Sequence, residues 1–231
     1  MAAELVATGG TGEVLRLVRD GEQLAIAVAF AAGVQPSSLA VHPVDGTILL
    51  ADLGHKSVLA VSPQGQTSDF VREYEQQPFI GPSALSFDGK RNLYLCDAGP
   101  LGETGLHSPK GSVFVVSSDG QLLLPLTLES LAYPSALALA PAPDAAEFAG
   151  GAGPSALLCA PDGTLFVGHF DFVQGGGGFP SQNTLNITGG RNGELLEELF
   201  VPAPEISGLA LKGRTLYVTE SSTNSLFAIE L

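Results

Sequence analysis

The chain repeats itself, and the repeat limits what it can become. A unit that reads PSSLAVHPVDGTILLADLGHKSVLAVSPQG from Pro36 returns from Pro82 as PSALSFDGKRNLYLCDAG, continued by GSVFVVSSDG. It returns from Pro154 as PSALLCAPDGTLFVGHFDF, and from Ile206 as ISGLALKGRTLYVTESSTNSLFAIEL. Each copy has the same order of parts. A short apolar run opens it, and a turn carrying Asp-Gly or Lys-Gly follows. A second apolar run ends on a polar or titratable residue. After a loop comes a third run, SVLAVS, SVFVVS or SLFAIE, and a weaker fourth closes the unit, as TSDFVREYE and QLLLPLTLE do. Short apolar runs punctuated by Gly, Pro, Asp and Asn read as strands joined by turns. Asp-Gly between two such runs favours a tight hairpin, because Gly accepts positive φ without steric cost.

Repeated units of four antiparallel strands are the signature of β-propeller blades. The expected fold is all-β, a propeller six-bladed in plan and built as a single domain over residues 1–231. The units open near 36, 82, 134, 154 and 206. Successive openings lie roughly 50 residues apart, except for those at 134 and 154, which lie roughly 20 apart. The motif PSAL stands at both of these. The unit at Pro134 has a first strand, SALALAP, and then passes through APDAAEF to the next opening. One blade near 134–153 is therefore expected to be stunted, which leaves five to six blades. A splice or gene-model deletion and a genuine lineage-specific loss with local repair both account for it. Either the ring closes with one blade fewer, or exposed strand edges make the chain strained and prone to aggregate. The first 35 residues hold three strand-like runs, ELVAT, EVLRLV and QLAIAVAF, and the unit from 206 holds three. Both ends are expected to share the closing blade. ELLEELF at 194–200 reads as a helical turn or as a strand.

Composition narrows the partners. With a formal net charge of −14, the surface repels phosphate backbones and acidic headgroups, so neither nucleic acid nor a membrane is expected. No apolar run approaches the length of a membrane span. MAAELVATGG lacks the basic start and apolar centre of a secretory leader, and a cytoplasmic monomer is expected. Cys96 and Cys159 lie inside apolar runs and read as reduced, buried thiols.

The pattern P-S-x-L-A-x-x-P-x-D-G, followed by a strand ending in Ala-Asp or Thr-Glu, resembles NHL-repeat and SMP-30/gluconolactonase-like six-bladed propellers. TLYVTESSTNSLFAI at 215–229 carries the likeness best, with Glu220 and Asn224 in the family's Asp and Asn places. TILLADLGHKSVLAV, with Asp52, is a second match. The superfamily spans lactonases, strictosidine-synthase-like proteins, lyases and interaction scaffolds. Resemblance to the SMP-30 enzymes implies a channel metal held by a Glu before a first strand, with Asn and Asp from other blades. Glu205 is the acid in that place, where the other units have Gln35, Gly81, Tyr133 and Gly153. The family's N-terminal Glu-Gly-Pro stretch is missing. Lyase relatives imply a three-histidine zinc site, but His42, His55, His107 and His169 fall at inequivalent repeat positions.

The second strands end on Asp52, Asp97, His169 and Glu220. Side chains at equivalent places near one end of a ring suit two roles. With Glu205, the set Asp97, His169 and Glu220 offers oxygen and nitrogen donors to a divalent cation, calcium, magnesium, manganese or zinc. Asp52, Asp97, His169 and Glu220 together are also the candidates for binding a ligand at the channel end and for a general acid and base. The other role is structural, a carboxylate that accepts backbone amides and braces the next loop. No HExxH, GxSxG, Walker or CxxC motif is present. The glycine run 175–178 and the insertion 98–111 read as irregular loops, where recognition often resides. The leading expectation is a binding scaffold for a protein or small ligand at one face or at the channel mouth. A metal-dependent hydrolase or lactonase is the alternative, and a truncated, non-functional copy is the third reading.

Overall fold

The computed structural model describes residues 5–8, 12–20, 23–31, 35–62, 64–99, 107–139, 153–170, 183–189, 194–202, 205–221 and 223–231. Every element among them is a strand, and every sheet is antiparallel with its strands in chain order. The chain divides into two units, 1–137 and 138–231.

In the first unit, β1 (Leu5–Thr8), β2 (Glu13–Asp20) and β3 (Gln23–Ala31) form a three-stranded sheet. A four-stranded sheet follows, of β4 (Pro36–Val41), β5 (Ile48–Asp52), β6 (Ser57–Val61) and β7 (Thr67–Val71). A short hairpin, β8 (Glu73–Tyr74) and β9 (Gln77–Pro78), leads to a second four-stranded sheet. That sheet is β10 (Pro82–Phe87), β11 (Leu93–Asp97), β12 (Gly111–Val116) and β13 (Leu123–Leu131). In the second unit, β14 (Gly153–Cys159), β15 (Leu165–Phe170), β16 (Asn183–Gly189) and β17 (Glu194–Val201) make a four-stranded sheet. β18 (Ile206–Lys212), β19 (Thr215–Glu220) and β20 (Ser225–Glu230) make a three-stranded one. ELLEELF is thus a strand, held by its ladder to β16. The expected sharing of one closing sheet by both chain ends is absent from the described ladders. β1–β3 pair among themselves, and so do β18–β20.

Sheets stack face to face. One side of the β4–β7 sheet places Leu49, Ala51 and Val58 against Leu85, Leu93, Leu95, Phe114 and Val116 of the next sheet. Its other side packs Ile48, Leu50, Leu59 and Val61 with Val14. This two-sided burial is why ILLAD in β5 is continuously apolar rather than alternating, with all five residues buried. Fully burying a side chain such as Leu50 or Leu95 stabilises by about 2–3 kcal/mol. In the second unit Ala156, Phe166 and Val201 pack on Ile206, Leu216 and Val218.

The Asp-Gly turns share one device. Asp45 Oδ1 accepts the amide of Thr47 at 2.9 Å, Asp88 Oδ1 that of Lys90 at 2.8 Å, Asp119 Oδ1 that of Gln121 at 3.1 Å and Asp162 Oδ1 that of Thr164 at 2.9 Å. The carboxylate replaces a missing backbone acceptor, and Gly46, Gly120 and Gly163 carry the positive φ that follows.

A second device joins one repeat to the next inside each of these two units. Ser37 Oγ donates to the carbonyl of Pro82 at 2.7 Å, Ser83 Oγ to that of Pro134 at 2.6 Å and Ser155 Oγ to that of Ile206 at 2.5 Å. In each case the serine after one opening residue holds the next opening residue. Pro134 is therefore docked as the start of a unit. The strand expected there does not form over its described part, since 133–139 lie in no strand, and 140–152 lie outside the described residues.

Candidate functional site

The ladders place the four strand-end residues on one kind of rung. Pro36 pairs with Asp52, Pro82 with Asp97, Pro154 with His169 and Ile206 with Glu220. A bulge follows each pair, between Pro36 and Ser38, Pro82 and Ala84, Pro154 and Ala156, and Ile206 and Gly208. Proline suits the first residue of a strand because it has no amide to donate, and a bulge there re-aims the neighbouring side chains. All four strand-end side chains are buried.

Their bonds show what the carboxylates do. Asp52 Oδ1 accepts the amide of Gln35 at 2.6 Å and that of Gly54 at 3.3 Å. Asp52 Oδ2 accepts the amide of His55 at 2.9 Å and pairs with the His55 ring through Nδ1. Asp97 Oδ1 accepts from the amide of Gly81 at 2.7 Å, and Oδ2 from that of Ile80 at 3.0 Å. Glu220 Oε1 accepts the amide of Glu205 at 3.1 Å, while Oε2 accepts the Thr223 amide at 2.7 Å and the Thr223 hydroxyl at 2.5 Å. In these three sheets the carboxylate takes the amide of the residue just before the opening, and in two it also holds the loop that follows. Glu205, the acid before β18, accepts the hydroxyl of Ser221 at 2.6 Å. Lys56 and Asn224 stand in the same place before β6 and β20, both with positive φ, which Asn tolerates better than most residues.

His169 breaks the series. An imidazole has at most one acceptor nitrogen where a carboxylate has two acceptor oxygens, so it cannot hold two amides at once as Asp52 and Glu220 do. Burial pushes the Asp97 carboxyl up, against the downward pull of the Ile80 and Gly81 amides and of Lys56. Burial, with Asp97 beside it, pushes the Cys96 thiol up to about 12, which makes it unreactive. Cys159 is half-buried rather than buried.

These residues do not fit a metal centre. Among the described residues, no three His, Cys, Asp or Glu side chains are grouped closely enough to hold an ion. Asp52, Asp97, Glu205 and Glu220 are already acceptors for donors of the fold. His42 pairs with Asp45 in the β4–β5 turn and His55 with Asp52 in the β5–β6 loop, so neither histidine joins a donor cluster. The glycine run 175–178 and residues 100–106 of the long insertion lie outside the described residues.

A groove that the repeat pattern does not announce lies between β17 and β20. Its volume is about 240 Å³, and it is lined by Leu199, Phe200, Val201, Pro202, Phe227, Ala228 and Ile229. In the sequence its lining reads as two ordinary apolar strand runs, ELLEELF and SLFAIE.

No family model matches the chain, and no curated protein matches it. Solved structures do. Regucalcin from Agrobacterium tumefaciens, described as a calcium-binding protein, is 14% identical with a TM-score of 0.62, over 94% of this chain and 82% of that one. A gluconolactonase from Xanthomonas campestris is 17% identical with a TM-score of 0.50, over 98% and 71%. A chain of a nidogen/laminin complex is 15% identical with a TM-score of 0.57, over 99% and 89%. No helix among the described residues is long and apolar enough to cross a membrane. Identities this low speak for architecture alone: the chain has an all-β fold of antiparallel sheets similar to that of these solved structures.

Proposed function

We propose that the chain is a binding scaffold rather than a lactonase. One observation carries this reading. The buried carboxylates that would serve a metal or a general base are spent on donors of the fold, two amides and a hydroxyl on Glu220 and two amides on Asp97. A base or a metal ligand must offer its lone pairs to the reactant or the ion. A brace must offer them to the fold, and these do.

The test is thermal unfolding of the purified chain in chelator and then with calcium, magnesium, manganese or zinc, beside an assay of gluconolactone hydrolysis. A ligand of the native state raises the midpoint by mass action. The expected outcome is one cooperative transition indifferent to all four ions, with hydrolysis at the buffer rate. An ion-selective rise that Asp97→Ala or His169→Ala removes, or turnover above buffer, would overturn the scaffold reading in favour of the lactonase. Failure to melt cooperatively would favour a truncated copy.

A further inference from the structure

The repeat supplies an internal control for the connection between β7 and β10. Val71 lies opposite Val58, as Thr127 lies opposite Val113 and Leu199 opposite Leu185. These three third-strand residues follow Ser57, Ser112 and Thr184. From Thr127 to the opening at Pro134, and from Leu199 to that at Ile206, the chain takes seven steps, but from Val71 to Pro82 it takes eleven. The four extra residues are taken up by the β8–β9 hairpin. At its tip Glu75 and Gln76 have φ of 49° and 66°, a left-handed pair that side chains of this length oppose. A second sign of strain lies beside it. Ser112 Oγ accepts the amide of Glu129 at 2.9 Å, two residues past Thr127. Ser57 is 1% exposed, yet its Oγ has no hydrogen-bond partner among the described residues. The matching donor, two residues past Val71, is the amide of Glu73. Phe79 donates to the carbonyl of Arg72 at 3.1 Å and Tyr74 pairs with Gln77, so the chain turns into the hairpin at Arg72. Alternation along the strand then aims the Glu73 amide away from β9.

We infer that residues 72–79 are a clasp with two states. In the closed state, that of this structure, the hairpin lays the Tyr74 ring on Phe114, with centroids 5.4 Å apart. In the open state the turn at Glu75 and Gln76 comes undone, β7 runs on past Val71, and Ser57 Oγ takes the Glu73 amide as Ser112 takes that of Glu129. Both ends of the moving segment are fixed. β6 holds Val71, and Asp97 holds the amides of Ile80 and Gly81. Phe79, 3% exposed and packed on Phe114, stays beside that post, so opening bares Tyr74 and one side of Phe114 without emptying the core. Relief of two left-handed residues and of one buried hydroxyl offsets the loss of the hairpin's own bonds. A lactonase would carry the same clasp as a scaffold, so the metal and lactone tests do not bear on it.

The experiment is native-state hydrogen exchange on the full chain across sub-denaturing urea. Expected is exchange of the Tyr74, Gln77 and Phe79 amides by a local opening that urea barely accelerates, at least about 100-fold faster than exchange of Leu50 and Leu95 in the central strands. Glu75→Asn with Gln76→Gly should slow that exchange by about fivefold or more, because the closed turn is relaxed. Ser57→Ala should slow it by about fivefold, because the open state loses its acceptor. Ser57→Thr keeps a hydroxyl, as β16 does with Thr184 in this place, and should leave the exchange fast. Exchange of residues 74–79 only through global unfolding overturns the clasp. So does an Asn-Gly turn or a Ser57→Ala variant that leaves the rate unchanged, or a threonine that behaves as alanine does.

Discussion

Asp52 is fully buried and accepts three backbone amides, those of Gln35, Gly54 and His55. Removing such an acceptor leaves the donors to find water at a strand end that the fold has closed. Asp52→Ala should therefore lower stability by about 2 kcal/mol or more, read as a shift of the urea midpoint at unchanged slope. Asp52→Asn, which keeps one acceptor oxygen, should lose less. If alanine costs nothing, the carboxylate is not a brace and its availability for chemistry returns. The rung that Asp52 shares with Asp97, His169 and Glu220 was legible in the sequence, because apolar runs ending on a polar residue recur in step. The donors were not legible, since they come from loops whose path the pattern does not define. Ser37, Ser83 and Ser155 stood in plain view as the S of P-S-x-L, but nothing local shows that a serine reaches the next unit's carbonyl.

Among the elements, β8 and β9 were the least legible. They meet in a two-residue turn, Glu75 and Gln76, with φ of 49° and 66°. Two consecutive left-handed residues are the signature of a hairpin turn that favours Asn-Gly, and neither residue here has the short side chain that tolerates it. Glu75→Asn combined with Gln76→Gly should stabilise the chain by about 1 kcal/mol or more, seen as a higher urea midpoint. No change would mean that the hairpin is already open in the native state. ELLEELF was ambiguous for a different reason. Leu and Glu are good helix formers, and intrinsic preference yields to the ladder that β16 offers. The run at 135 shows the reverse case. It has the composition of a first strand and lies in no ladder over its described part.

For the molecule as a whole, charge is the lever that the sequence states outright. With 24 acids against 10 Lys and Arg, the folded chain repels itself. Raising salt screens that repulsion over a shorter distance. The thermal midpoint should therefore rise by a few degrees, about 2–4 °C, between roughly 10 mM and 300 mM sodium chloride. A fall instead would mean that attractive pairs outweigh the excess of acids. The four openings at 36, 82, 154 and 206 are the first strands or first-strand residues of four sheets, so most of the architecture was written in the repeat. The seam between repeats was not. That seam has a consequence for ancestry. Ser37, Ser83 and Ser155 close it with the same hydroxyl on the same carbonyl, whatever unit comes next. A gene that gains or drops a copy in mid-array meets the same fastening on either side of the scar, and the two PSAL motifs twenty positions apart are the trace that such an event would leave.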